Sequence, residues 1–176
     1  MVTGMAKARE IAGLSAELPY GEVAARVLEV RCEEVLDNAA NVLDVTRIEG
    51  VHDMRVATRR LRAAIEVFWP CFPPKLCKQV LAEVKAIADA LGERRDRDVA
   101  IEFLGTFAEA MPHPDRPGIS SLIGELRAEQ GAANDDLATT IEPARLERLR
   151  DKLLELAGTA RVAIPGGDDP EPGEAG

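Results

Sequence analysis

The sequence predicts an all-α chain, an antiparallel bundle of about five to six helices, and three observations predict it. Strand signals are nearly absent, while apolar residues recur at helical spacing through most of the chain. Aromatic residues make up only 3% of the 176 positions, and the apolar content is carried mainly by Ala, Leu and Val, a balance that favours packed helices. The strongest breakers, "CFPP" and "PHPDRPG", fall between periodic segments, where short connections make antiparallel neighbours.

Residues 5–17 read as a weak, Gly-interrupted amphipathic piece closed by "LPYG". From Glu22 to about Val45, Val23, Val27, Val30, Val35, Val42 and Leu43 recur near the helical period. "TRIEG" breaks that helix, and residues 51–69 form the next one, stopped by Pro70. Pro73 and Pro74 suit the first turn of a helix reaching Leu91. Gly92 is expected to mark a bend, after which the chain continues helically to about Met111. Two last helices are expected over 119–139 and 143–160, the second opening on Pro143. The tail "PGGDDPEPGEAG" has almost nothing to bury, so residues 163–176 are expected to be disordered. The domain organisation is then an N-terminal segment over 1–20, one helical domain over 21–162, and the acidic tail.

A formal net charge of -9 gives a field that repels nucleic acid and anionic membrane alike. No apolar run approaches the ~20 residues of a membrane helix, and "MVTGMAKARE" lacks the apolar centre of a signal peptide. Cys32, Cys71 and Cys77 are odd in number and share no ligand spacing with His52 or His113, so reduced thiols in a cytoplasmic protein are expected, with no metal and no cofactor.

Against that acidic background stands "VHDMRVATRRLRAAIEVF", residues 51–68, with a histidine and four arginines in eleven positions. His52, Arg55, Arg59 and Arg62 follow at spacings of 3, 4 and 3 and share one stripe. Met54, Ala57, Leu61, Ala64, Ile65 and Phe68 take the opposite side, and Arg60 lies off the stripe near one boundary. Like charges at this spacing repel by a few tenths of a kcal/mol per pair. Either neighbouring helices supply carboxylates, giving an ordinary solvated face, or the stripe awaits an anion. A second stretch, "VKAIADALGERRDRDVAIEFL", puts Lys85, Gly92 and Arg95 on one face. Asp96 and Asp98 there are too few to neutralise the bases and would orient guanidinium groups instead. Arginine forks suit phosphate oxygens, with Lys85 as a point charge. No Gly-rich phosphate loop and no carboxylate cluster for a metal accompany them, so an enzyme acting on phosphate anhydrides is not the expectation.

The joint pattern H-x-x-R-V-x-x-R-R-L-R, then L-G-x-x-R-D-x-D-V, over residues 52–99, resembles the first half of a CHAD domain, the conserved-histidine α-helical family. The resemblance implies an all-helical, non-catalytic domain that binds inorganic polyphosphate, with some members found at polyphosphate granules. It also implies a ligand-contacting set of His52, Arg55, Arg59, Arg60, Arg62, Lys85 and Arg95, supported by Asp96 and Asp98. The family's second half carries its own histidine motif, which is missing here; His113 sits in a loop. The chain therefore resembles about half a domain, and a twofold homodimer is the expected assembly. Two other readings stay open: a helical protein docking an acidic partner, and an accessory module to a phosphate-anhydride-processing enzyme.

Overall fold

The computed structural model describes residues 8–162. Among them are five α-helices and no strand: α1 (Tyr20–Ala39), α2 (Ile48–Val67), α3 (Pro74–Ala110), α4 (Arg116–Thr140) and α5 (Pro143–Val162). One-turn 3-10 segments stand at Trp69–Cys71 and His113–Asp115. The all-α expectation holds. α1 packs on α2 and α5, α2 on α3, and α3 on α5, which closes a ring of four helices; α4 runs back along α3.

One core fills that ring, with Leu28, Met54, Leu61, Val84, Leu91, Leu153 and Leu156 among its most buried members. α2 shows how the sequence directs a helix to it. Met54, Ala57, Leu61 and Ile65 are at most 2% exposed, whereas Arg55, Arg59 and Arg62 on the other side are exposed. α5 is tied to α1 at its far end by Arg161, whose Nη1 and Nη2 meet the Glu29 carboxylate at 2.7 and 2.9 Å while Nε reaches Glu22 at 2.9 Å. Hydrogen bonds from Arg26 and then Arg161 hold the Glu22 carboxyl below its usual range. Cys32, Cys71 and Cys77 are buried and unpaired.

α2 and α4 each begin three residues earlier than read, at Ile48 and Arg116, and three differences from the sequence reading are larger. Of the amphipathic piece read over 5–17, residues 8–17 are irregular with turns at 12–13 and 16–17, and residues 5–7 lie outside the described residues. Gly13 takes φ 72°, a left-handed conformation open to glycine, and Arg26 Nη1 donates to its carbonyl at 2.7 Å. α1 stops at Ala39 rather than near Val45. Asn38 Nδ2 donates back to the Glu34 carbonyl at 2.7 Å, and the Asp44 carboxylate accepts from the Thr46 backbone N–H and hydroxyl at 2.9 and 2.7 Å, a side-chain turn that competes with helix. Finally, no break occurs at Gly92: α3 runs through it for 37 residues. One interior glycine costs a helix about 1 kcal/mol, and buried Leu91 and Arg94 hold both sides of it in place. The expected disordered tail, 163–176, lies outside the described residues.

The outer part of α3 and most of α4 form a hairpin beyond the ring. From Val99 to Asp136 no residue is buried.

Candidate functional site

The basic stripe of α2 lies beside α3, where the two helices pack. His52, Arg55, Val56, Thr58, Arg59 and Arg62 of α2 and Ala88 of α3 line a cavity of about 430 Å³. No carboxylate lines it. His52 is half-buried at one end, and Arg55 and Arg59 are exposed along its length. Neither arginine lies within ion-pair distance of an acid among the described residues. Arg62 meets Glu66, one turn on, at 3.2 Å, but its side chain remains 50% exposed, a contact that competes weakly with a stronger anion. The floor is closed by Thr58, 1% exposed, whose hydroxyl donates to the Met54 carbonyl at 2.8 Å. A threonine turned inward thus leaves the guanidinium groups and the His52 imidazole as the polar side chains along the cavity.

Lys85 is exposed one turn before Ala88 on the same flank of α3; it stands beside the cavity without lining it. Arg95 is half-buried and donates from Nη1 to the carbonyl of Ile48, the first residue of α2, at 3.3 Å. It therefore pins the end of α2 from which His52 and Arg55 project. Asp96 is exposed.

Arg60 is not brought to the cavity. It lines a separate one of about 310 Å³ with Arg9, Glu34, Asp37 and Asp53. At 100° per residue Arg60 points a quarter-turn and more away from Arg59, toward α1 and its carboxylates. His113 is exposed in its 3-10 turn, away from the basic stripe in sequence and in element.

Asp98 is turned inward and pairs with a guanidinium that the sequence reading left out. Arg94 is 0% and Asp98 1% exposed, with Arg94 Nε 3.1 Å from Asp98 Oδ1. Gln130 Nε2 donates to the same oxygen at 2.6 Å, and Arg94 Nη1 donates to Asn134 Oδ1 at 2.7 Å. Asn134 Nδ2 in turn donates to the Leu43 carbonyl at 3.2 Å. A polar network thus ties α4, through α3, to the loop that delivers α2. Arg94 Nε and Nη2 and Asp98 Oδ2 are buried with no hydrogen-bond partner, so the network is incompletely satisfied. The visible signal was the four-residue spacing of Arg94 and Asp98.

Among the described residues no three His, Cys, Asp or Glu side chains gather as a metal site would require, and no helix is long and apolar enough to cross a membrane.

Comparison with known proteins agrees with this architecture. The family model described as CHAD domain matches residues 26–175. The crystal structure of the CHAD domain from the plant Ricinus communis is similar with a TM-score of 0.66 and 25% identity, over 88% of this chain and 51% of that one. The chain thus spans about half the length of that solved domain. No match was found among curated proteins.

Proposed function

Because the chain belongs to the CHAD domain family, we propose that its α2–α3 cavity binds inorganic polyphosphate, without catalysing a reaction on it. The observation that carries this reading is a cavity lined by His52, Arg55, Arg59 and Arg62 and by no acid, in a chain with 31 acidic residues against 22 Lys and Arg. Elsewhere Arg9, Arg26, Arg31, Arg97 and Arg161 pair with carboxylates. Arg55 and Arg59 stand apart from such partners with their forks toward solvent, which suits bidentate contact to phosphate oxygens. Three arginines and a histidine spaced over three turns of α2 favour a linear anion over a compact one. Lys85 lies where it adds a further point charge to the same track. Arg95 supports the site by fixing the start of α2, and Arg60 belongs to the opposite flank of the helix. The natural setting is the cytoplasm, at polyphosphate granules.

The test is binding of long-chain polyphosphate against double-stranded DNA at equal phosphate concentration. Polyphosphate is expected to bind far more tightly, and affinity to fall with salt at a log–log slope of about -3 for four or five contacts. Arg55→Glu with Arg59→Glu, both exposed, is expected to weaken binding more than about 100-fold, since each charge-assisted bond contributes roughly 1.5–3 kcal/mol. The melting temperature should barely move. Wild-type affinity in that double variant would remove the cavity from the mechanism. Equal affinity for the two polymers would favour generic charge attraction or an acidic protein partner.

A further inference from the structure

The far end of the molecule is a helical hairpin without an interior. No residue from Val99 to Asp136 is buried, although α3 and α4 are packed closely along each other. Apolar side chains are present there all the same. Val99, Phe103 and Phe107 follow at four-residue intervals on α3, exposed by 46%, 66% and 48%. The two phenylalanine rings are stacked, 6.2 Å between centroids and 8° between planes. On α4, Leu122 is 44% exposed, with Ile119, Ile123 and Leu126 half-buried beside it. Two helices bury only the seam between them, so an aromatic stripe on an outer face gains nothing from the hairpin's own fold.

We propose that this hairpin is a self-association surface, joining two copies of the chain hairpin to hairpin about a twofold axis. Size favours a second copy. The α3 arm beyond the ring, Val99–Ala110, and the part of α4 facing it are about 20 Å long, and a two-helix face is about 20 Å wide. With side-chain relief that fits the smaller class of interface, whose pairs associate weakly. Geometry favours it as well. Two hairpins make four helices, the smallest bundle in which each gains neighbours on both sides. A twofold axis also lets one apolar stripe cover an identical one. The charge pattern then makes a sharp statement about sign. Glu102, Glu109, Asp115 and Glu125 are exposed along the same hairpin against one exposed arginine, Arg127, while Glu129 is paired with Arg97, so two copies meet with acidic rims that repel. The association is driven by apolar contact and strengthens as salt screens the rims, the reverse of the salt response expected for polyphosphate in the α2–α3 cavity. A foreign partner drawn by charge would be basic, and its binding would weaken with salt.

The experiment is sedimentation equilibrium of the full chain, without polyphosphate, from micromolar to sub-millimolar concentration at low and high salt. A mass rising toward twice the 19.0 kDa of the chain, and rising further in salt, is the expected result. Phe103→Glu with Phe107→Glu should weaken self-association by about 100-fold or more, because each aromatic ring carries a large buried area into the contact. Helicity should be retained. Hydrogen exchange of the wild-type chain provides a readout that needs no substitution: amides of the hairpin should gain protection with concentration and those of the four-helix ring should not. A mass that stays at 19.0 kDa throughout, or a dimer indifferent to the double substitution, overturns the proposal and leaves the hairpin to a different chain.

Discussion

Arg94 and Asp98 lie inside the protein one turn apart, and taking both charges out of water removes hydration that their mutual attraction only partly restores. The shortfall is visible in Arg94 Nη2 and Asp98 Oδ2, which find no partner. Removing one member leaves the other as an unpaired buried charge. Asp98→Ala is therefore expected to destabilise the fold by about 3–5 kcal/mol, read from the urea midpoint at constant slope. Arg94→Met combined with Asp98→Leu should recover most of that loss, because well-packed apolar residues of similar volume often match a buried ion pair. A double variant as unstable as the single one would mean that Gln130 and Asn134 depend on the pair for their own positions. The spacing of the pair was legible in "LGERRDRDV", but its burial was not. Six of those nine residues are charged, and which of them turn inward is decided by Gln130 and Asn134, more than thirty residues further along.

At the scale of the element, α2 was the most legible helix and α3 the least. The apolar positions of α2 form a clean stripe opposite the arginines, so both its faces followed from spacing alone. In α3 the pattern changes partner midway: one part faces the ring of four helices and the other faces α4. No single stripe runs its length, and Gly92 looked like the division. The glycine is instead an ordinary helical position with space around it, since a Cβ there would meet nothing within 4 Å. Gly92→Ala is accordingly expected to stabilise the protein by roughly 0.5–1 kcal/mol, measured as a rise in melting temperature. Gly50, in the first turn of α2, is the contrasting case. A Cβ there would stand 3.2 Å from the Asn41 carbonyl oxygen, a backbone atom with little freedom to retreat. Gly50→Ala should lower the melting temperature, and equal shifts in the two variants would show that the approach of the α1–α2 loop to α2 is slack.

For the whole molecule, the four-helix ring was foreseeable from helix count and short connections, and the joining of His52, Arg55, Arg59 and Arg62 from one wheel. The exclusion of Arg60 was foreseeable in part, because it already lay off the stripe; what drew it in was the family pattern rather than geometry. The bare hairpin was not foreseeable. Val99, Phe103 and Phe107 have the spacing of a core stripe, and only the placement of the other described helices reveals that they stay exposed. The three cysteines carry a separate consequence. Burial pushes the thiols of Cys32 and Cys77 up to about 11 and that of Cys71 upward as well. The thiolate is the reactive form, so a folded chain near neutral pH is almost inert to an alkylating reagent. Labelling must wait for the backbone to open, and its speed counts those openings. Cys71, 9% exposed beside Pro70 and the α2–α3 turn, should react first, with Cys77 and Cys32, 0% and 3% exposed, following together. Simultaneous reaction of all three would mean that this corner never opens alone. The protein therefore contains two stopwatches of its own, one timing the corner at Cys71 and the other the interior that holds Cys77 and Cys32.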